Sequence, residues 1–144
     1  MRIAIGSDHA GFMLKEAMEE HLAKQGHEVM DLGAHSPDRT DYPDHAAPVA
    51  RAVAKGEVTC GVLVCGSGIG MCMAANRFPA VRAAVLGDEY DAEMSRRHND
   101  ANVACFGARR GDDGGAIELL DIFLKTPFDG GRHEERVAKL GKLG

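Results

Sequence analysis

A chain of 144 residues with 17 lysines and arginines against 22 acidic residues has a formal net charge of −5. That balance leaves no global basic field to gather nucleic acid or an anionic membrane. The length reads as one domain, residues 1–144, and no apolar run approaches the ~20 residues of a membrane span. With a strand rather than a signal peptide at the N-terminus, the expected compartment is the cytoplasm.

Taken in order, the chain alternates between two hydrophobic periods. A strand is expected over Arg2 to Gly6, followed by the polar turn Ser7-Asp8-His9-Ala10-Gly11. Leu14, Ala17, Met18 and Leu22 then keep helical spacing. A second strand covers Glu28 to Leu32, and Ala46, Val49, Ala50 and Val53 mark a second helix. The third strand, Gly61 to Cys65, runs directly into Gly66-Ser67-Gly68-Ile69-Gly70, and Met71, Ala74, Ala75 and Phe78 mark the helix after it. Val81 to Leu86 is the fourth strand, with a less periodic helical segment after Tyr90. Asn102 to Phe106 is the fifth; it ends in Gly107-Ala108-Arg109-Arg110 and leads to a helix through Ile117, Leu120 and Leu124. From Gly130 onward the chain is polar and basic, too poor in apolar residues for an independent helix, and so is expected to pack on something else. Near-continuous apolar strands alternating with helices predict an α/β protein with a parallel sheet covered on both faces. Nearly all of the seven methionines read as core filler rather than a cofactor box.

In such a sheet, ligands gather beyond the carboxyl ends of the strands. Asp8 and His9, the Cys65 loop, and Arg109 all fall there. Glycines at 66, 68 and 70 allow backbone N–H groups to approach an anion, and the helix that begins there adds its positive end. The same field stabilises a thiolate at Cys65. Cys60, Cys72 and Cys105 read as small core hydrophobes, and the four cysteines lack any zinc spacing. His98 and Asn99 close the helix after the fourth strand, which returns the chain to the amino-end side; Arg132, His133 and Arg136 belong there too. Arg132 and Arg136, four apart, share a helical face and can grip one phosphate. If these residues serve the Cys65 site, they come from a second subunit.

Several chemistries fail on spacing. A cysteine phosphatase needs an arginine where this chain has Met71. The G-x-G-x-G pattern follows the third strand rather than the first, against a dinucleotide site, and no Walker lysine follows the glycines. What survives is acid–base chemistry on a small anionic substrate.

Six blocks carry a resemblance that runs nearly end to end: Gly6 to Phe12, Arg39 to Pro43, Cys65 to Gly70, Ala74 to Arg77, Ser95 to Asn102, and Gly130 to Val137. In these the chain resembles the ribose-5-phosphate isomerase B family, relatives of the galactose-6-phosphate isomerase subunits. The resemblance implies a three-layer α/β/α, Rossmann-like fold with a five-stranded parallel sheet. It also implies a homodimer, or a dimer of dimers, with composite active sites, in which the segment from about residue 130 to 144 packs on the partner subunit. It implies a small-molecule sugar phosphate as substrate and neither metal nor organic cofactor. Cys65 matches the base that moves a proton between C1 and C2; branches of the family that use a glutamate just past the loop have no counterpart here, where Met71, Cys72, Met73 and Ala74 follow. His98 matches the acid that opens the sugar ring, with Asp8 as helper and Ser67 as a hydroxyl for a sugar oxygen. His9, Gly66, Gly68, Ile69, Gly70, Asn99, Arg109, Arg132 and Arg136 match substrate and phosphate contacts. The expected reaction is interconversion of ribose 5-phosphate and ribulose 5-phosphate through a cis-enediolate. Two alternatives stand beside it: isomerisation of a six-carbon sugar phosphate such as allose 6-phosphate or galactose 6-phosphate, and a non-catalytic sugar-phosphate or nucleotide-binding module.

Overall fold

The computed structural model describes residues 1–144. Five strands, β1 (Arg2–Ser7), β2 (Glu28–Asp31), β3 (Cys60–Cys65), β4 (Ala83–Val85) and β5 (Val103–Gly107), form one sheet in the order β2-β1-β3-β5-β4. Every pairing is parallel. Six helices connect and flank them: α1 (Phe12–Lys24), α2 (Tyr42–Ala54), α3 (Ile69–Ala75), α4 (Glu89–Arg97), α5 (Asp113–Lys125) and α6 (Arg132–Leu140). No helix is long and apolar enough to cross a membrane.

The three central strands are apolar on both faces because both are covered. Ile3, Ile5, Val62, Val64, Ala104 and Phe106 point into a core closed by Leu14, Met18 and Leu22 of α1, Ala92 of α4, and Leu120 and Phe123 of α5. Their alternates Ala4, Leu63, Cys65, Val103 and Cys105 point the other way, against Ala46, Val49, Ala50 and Val53 of α2 and Met71 and Ala75 of α3. This is the expected three-layer α/β/α arrangement. Helix α2 lies close to the sheet because Gly61 leaves room; a Cβ there would sit 2.7 Å from Val49 Cγ1.

Several expectations need correction. The fourth strand is shorter than Val81 to Leu86, because Arg82 N–H donates to Asn102 Oδ1 at 2.7 Å instead of to a strand. The third helix stops at Ala75, short of Phe78: the Asn76 side chain turns to Ala83, accepting from its N–H at 2.8 Å and donating to its carbonyl at 3.0 Å. Met18 and Met71 fill the core, but Met13 and Met73 are about two-thirds exposed, so methionine is not uniformly core filler here. Cys60 and Cys105 are buried as expected, whereas Cys72 is only half-buried. The polar segment after Gly130 forms the helix α6, amphipathic and exposed along most of its length, on which Arg132 and Arg136 are four apart, in keeping with the sequence.

A charged group that no sequence pattern singled out lies under α1. Lys15 is fully buried, with Nζ 2.7 Å from Asp31 Oδ2 and 2.9 Å from Glu16 Oε1. Burial works against its ammonium, but the hydrogen bonds to Asp31 and Glu16 outweigh that and raise its pKa above the ordinary lysine value.

Candidate active site

The chain winds outward in both directions from the β1–β3 pair, so the carboxyl ends of these strands form the crevice where the winding reverses. Ser7 and Cys65 end those strands. Asp8 N–H donates to Val64 O at 3.2 Å, holding the turn after β1 against the turn after β3. Asp8 is buried, and its Oδ1 accepts from Gly11 N–H at 3.1 Å, which fixes the carboxylate at the mouth of α1. His9 is oriented by the backbone of Thr40, whose carbonyl lies 3.1 Å from its Nδ1. Thr40 Oγ1 is in turn 2.9 Å from His45 Nε2.

Cys65 is buried at the tip of β3, and its Sγ accepts the Gly68 N–H at 3.1 Å. Gly68 reaches that position with φ +81°, a left-handed conformation that favours glycine, and a Cβ there would also meet the Phe106 carbonyl carbon at 3.0 Å. Ser67 Oγ accepts from Ile69 N–H at 3.2 Å. The N–H groups of Gly66, Ser67 and Gly70 find no backbone acceptor and are left for an anion at the start of α3. The turn after β5 is tied to the same loop: Ala108 N–H donates to Cys65 O at 2.8 Å and Arg109 N–H to Gly66 O at 3.0 Å. The Arg109 guanidinium therefore lies over Gly66, where a Cβ would sit 3.0 Å from its Nη1. Thiol, carboxylate, imidazole, open N–H groups and guanidinium thus gather at one end of the sheet, as the sequence predicts for Asp8, His9, Cys65 to Gly70 and Arg109.

His98, Asn99, Arg132 and Arg136 are placed elsewhere in the chain. His98 caps α4 and Asn99 follows it, a few residues ahead of the amino end of β5. The five residues of β5 separate them from the Cys65 loop by about 15 Å at the usual strand rise. Helix α6 is on their side: His98, Asn99, His133 and Arg136, with Val137 and Leu140, line a cavity of about 230 Å³. The His133 ring stacks on His98 with 4.2 Å between centroids and 13° between planes.

Two clusters bring possible metal ligands within 4.8 Å of one another: His98, Asp129 and His133, and Glu16, Glu19 and Asp31. Neither favours a cation. The first has its two imidazoles stacked face to face and carries Arg132 and Arg136 on the same helix as His133, while the Lys15 ammonium already occupies the second.

Sequence reasoning also missed Cys72. Its thiol is lowered to about 7, chiefly by the hydrogen bond from Cys105, against partial burial, and with help from the Val85 backbone and Asn76. The signal for it lay in the spacing of the fold rather than of the chain, since Cys105 belongs to β5 and Cys72 to α3.

The chain is similar to known proteins along nearly its whole length. The ribose/galactose isomerase family model matches residues 3–140. Ribose-5-phosphate isomerase B of Escherichia coli K12 is 48% identical over 136 residues, spanning 94% of this chain and 91% of that one. The solved ribose-5-phosphate isomerase B of Clostridium thermocellum superposes with a TM-score of 0.97 at 46% identity, covering 99% of this chain and 96% of the other. That of Mycoplasma genitalium, solved with bound ribulose-5-phosphate, superposes at 0.94 with 42% identity, covering 98% and 94%.

Proposed function

Because the chain belongs to the ribose/galactose isomerase family, we propose that it interconverts ribose 5-phosphate and ribulose 5-phosphate, with Cys65 as the carbon base. The observation that carries this reading is the buried Cys65 thiol beside a glycine loop in which the Gly66, Ser67 and Gly70 N–H groups are free, with Asp8 and Arg109 facing the same crevice.

The chemistry proceeds in two stages. His98 protonates the ring oxygen O4 while Asp8 takes the anomeric hydroxyl proton, which opens the furanose to the aldehyde. The Cys65 thiolate then removes the C2 proton, and the electrons move onto O1 to give a cis-enediolate. Returning the proton to C1, with a hydroxyl proton passing from O2 to O1 near Ser67, gives the ketose. The free N–H groups of Gly66, Ser67 and Gly70 suit the enediolate oxygen; such donors are typically worth about 3 kcal/mol in the transition state. Arg109, Arg132 and Arg136 with His9 hold the phosphate end and keep the carbon chain in register with Cys65.

His98, Asn99, Arg132 and Arg136 reach this site from a second copy of the chain. Two features support that: the length of sheet between them and Cys65, and the exposed Ile69 and Met73 on α3, apolar surface next to the loop that a second copy would cover.

Turnover of ribose 5-phosphate, measured on the wild type, Cys65→Ala and His98→Asn, tests the reading. Both single variants should be inactive or nearly so. Co-refolded at equal amounts, they should recover about a quarter of wild-type activity, since half the dimers are mixed and each mixed dimer has one intact site. No recovery overturns the shared site. Activity that survives Cys65→Ala overturns the base, and turnover confined to allose 6-phosphate or galactose 6-phosphate moves the substrate to a hexose.

A further inference from the structure

His133 is the one buried histidine of the chain, and nothing in the reaction above uses it. It stands on the first turn of α6, where its N–H donates to Gly130 O at 3.0 Å. The segment just before it is fastened to the end of α4 that carries His98. Asp129 N–H donates to Arg97 O at 3.0 Å, and Arg97 Nε lies 3.2 Å from each Asp129 carboxylate oxygen. These ties leave the two imidazoles nearly parallel at 4.2 Å. An offset or parallel ring contact of this kind fixes the plane of each ring. It also restricts His98, whose place at the end of a helix would otherwise leave its side chain free to turn.

The charges around the pair decide where a proton resides. Asp129 faces both rings from the loop, Arg97 approaches from α4, and Arg132 and Arg136 flank His133 on α6. Burial, then His98, then the two arginines disfavour charge on His133, with Asp129 the only opposing influence, so its pKa is lowered. His133 is thus held as an uncharged face of the stack.

The geometry points to His133 as a positioning residue for ring opening: its imidazole is the flat surface that holds His98 in the orientation from which a proton reaches the sugar O4. This rests on the isomerase reading, and the test separates the two. In D2O, exchange of the C1 proton of ribulose 5-phosphate needs the carbon base and no ring step, because the phosphate ester on O5 prevents this ketose from closing a furanose. His133→Ala should slow conversion of ribose 5-phosphate at least about tenfold while C1 exchange stays within about twofold. His133→Phe, which keeps a flat ring, should restore conversion to within about threefold of wild type. Conversion unchanged in His133→Ala, conversion and exchange falling together, or His133→Phe no better than alanine would each overturn the inference. Absence of C1 exchange in the wild type would instead overturn the isomerase reading. Should His133→Ala not fold, His133→Phe decides alone: conversion within about threefold of wild type supports the flat-surface role, and a larger loss overturns it.

Discussion

Replacing Gly11 by alanine places one methyl group where the structure has no room. A Cβ on Gly11 would lie 2.4 Å from Val64 O, 2.6 Å from its carbonyl carbon and 2.8 Å from its Cγ1. Relief requires a retreat of about 1 Å to reach ordinary contact. Val64 cannot give way, since β3 is paired on both sides by β1 and β5. The start of α1 must therefore move, straining the bonds from Asp8 N–H to Val64 O and from Gly11 N–H to Asp8 Oδ1. Overpacking costs about 1–3 kcal/mol, and weakening two buried hydrogen bonds adds about 1 kcal/mol each. Against this, Gly11 has φ −95°, which alanine accepts, so the stiffer unfolded chain returns about 0.5 kcal/mol. The net loss is about 3 kcal/mol, read by urea denaturation at matched protein concentration. Gly114→Ala, in the first turn of α5 with only Asp112 Oδ1 nearby at 3.5 Å, serves as the control and should not destabilise. A Gly11→Ala protein within about 0.5 kcal/mol of wild type would refute the packing argument.

Other perturbations have outcomes of similar definition. Lys15→Ala strands the Asp31 carboxylate under α1 and should cost about 3 kcal/mol at neutral pH. Lys15 has a raised pKa, so its contribution holds below the ordinary lysine value and fades as pH climbs past it. Asp31 is lowered: its own burial works against the charge, but Lys15, Gly33 and Glu19 outweigh it, so its contribution holds at neutral pH and disappears on acidification below the carboxylate range. Denaturation curves of the two proteins should therefore converge in acid, and a constant gap would contradict the ion pair. Iodoacetamide labelling of Cys72, followed by peptide mass spectrometry, should rise with pH through a midpoint of about 7, while Cys60, pushed up by burial to about 11, stays unlabelled. A Cys72 midpoint in the ordinary thiol range would overturn that account. Gly68→Ala combines a left-handed φ of +81° with the Phe106 contact at 3.0 Å and moves the N–H bonded to Cys65. It should lower isomerase turnover at least about tenfold, and near-normal turnover would show that the loop tolerates displacement.

Much of the architecture was legible because burial on both faces leaves a plain mark. Val62, Leu63 and Val64 form an uninterrupted apolar run only because α1 and α2 cover opposite sides of β3. Asp8, Cys65 and Arg109 could be gathered in advance, since each stands at or just past the carboxyl end of a strand and parallel strands end together. The relation of His98 to Cys65 was legible only as opposite ends of a sheet. Lys15 was hidden by its setting: in an amphipathic helix a lysine reads as solvent-facing, and its partner Asp31 is sixteen residues away on another element. The end of α3 was misread because Phe78 continues the apolar spacing, while the residue that stops the helix, Asn76, acts through a bond to a strand seven residues on. The stacking of His98 on His133 depends on the path of the 126–131 segment, which carries no periodic signal.

That same Asn76 has a consequence for the protein in a crowded solution. Strand β4 is the last of the sheet, and an edge offers unpaired N–H and C=O groups as a template for foreign strands. At Ala83 both outward groups are occupied by the Asn76 amide, with Cys72 Sγ also 3.4 Å from the carbonyl. At Ala83 one side chain thus stands in for a neighbouring strand and blocks that part of the template. Losing that amide would be felt less as lower stability than as self-association, with thioflavin binding on storage as its measure.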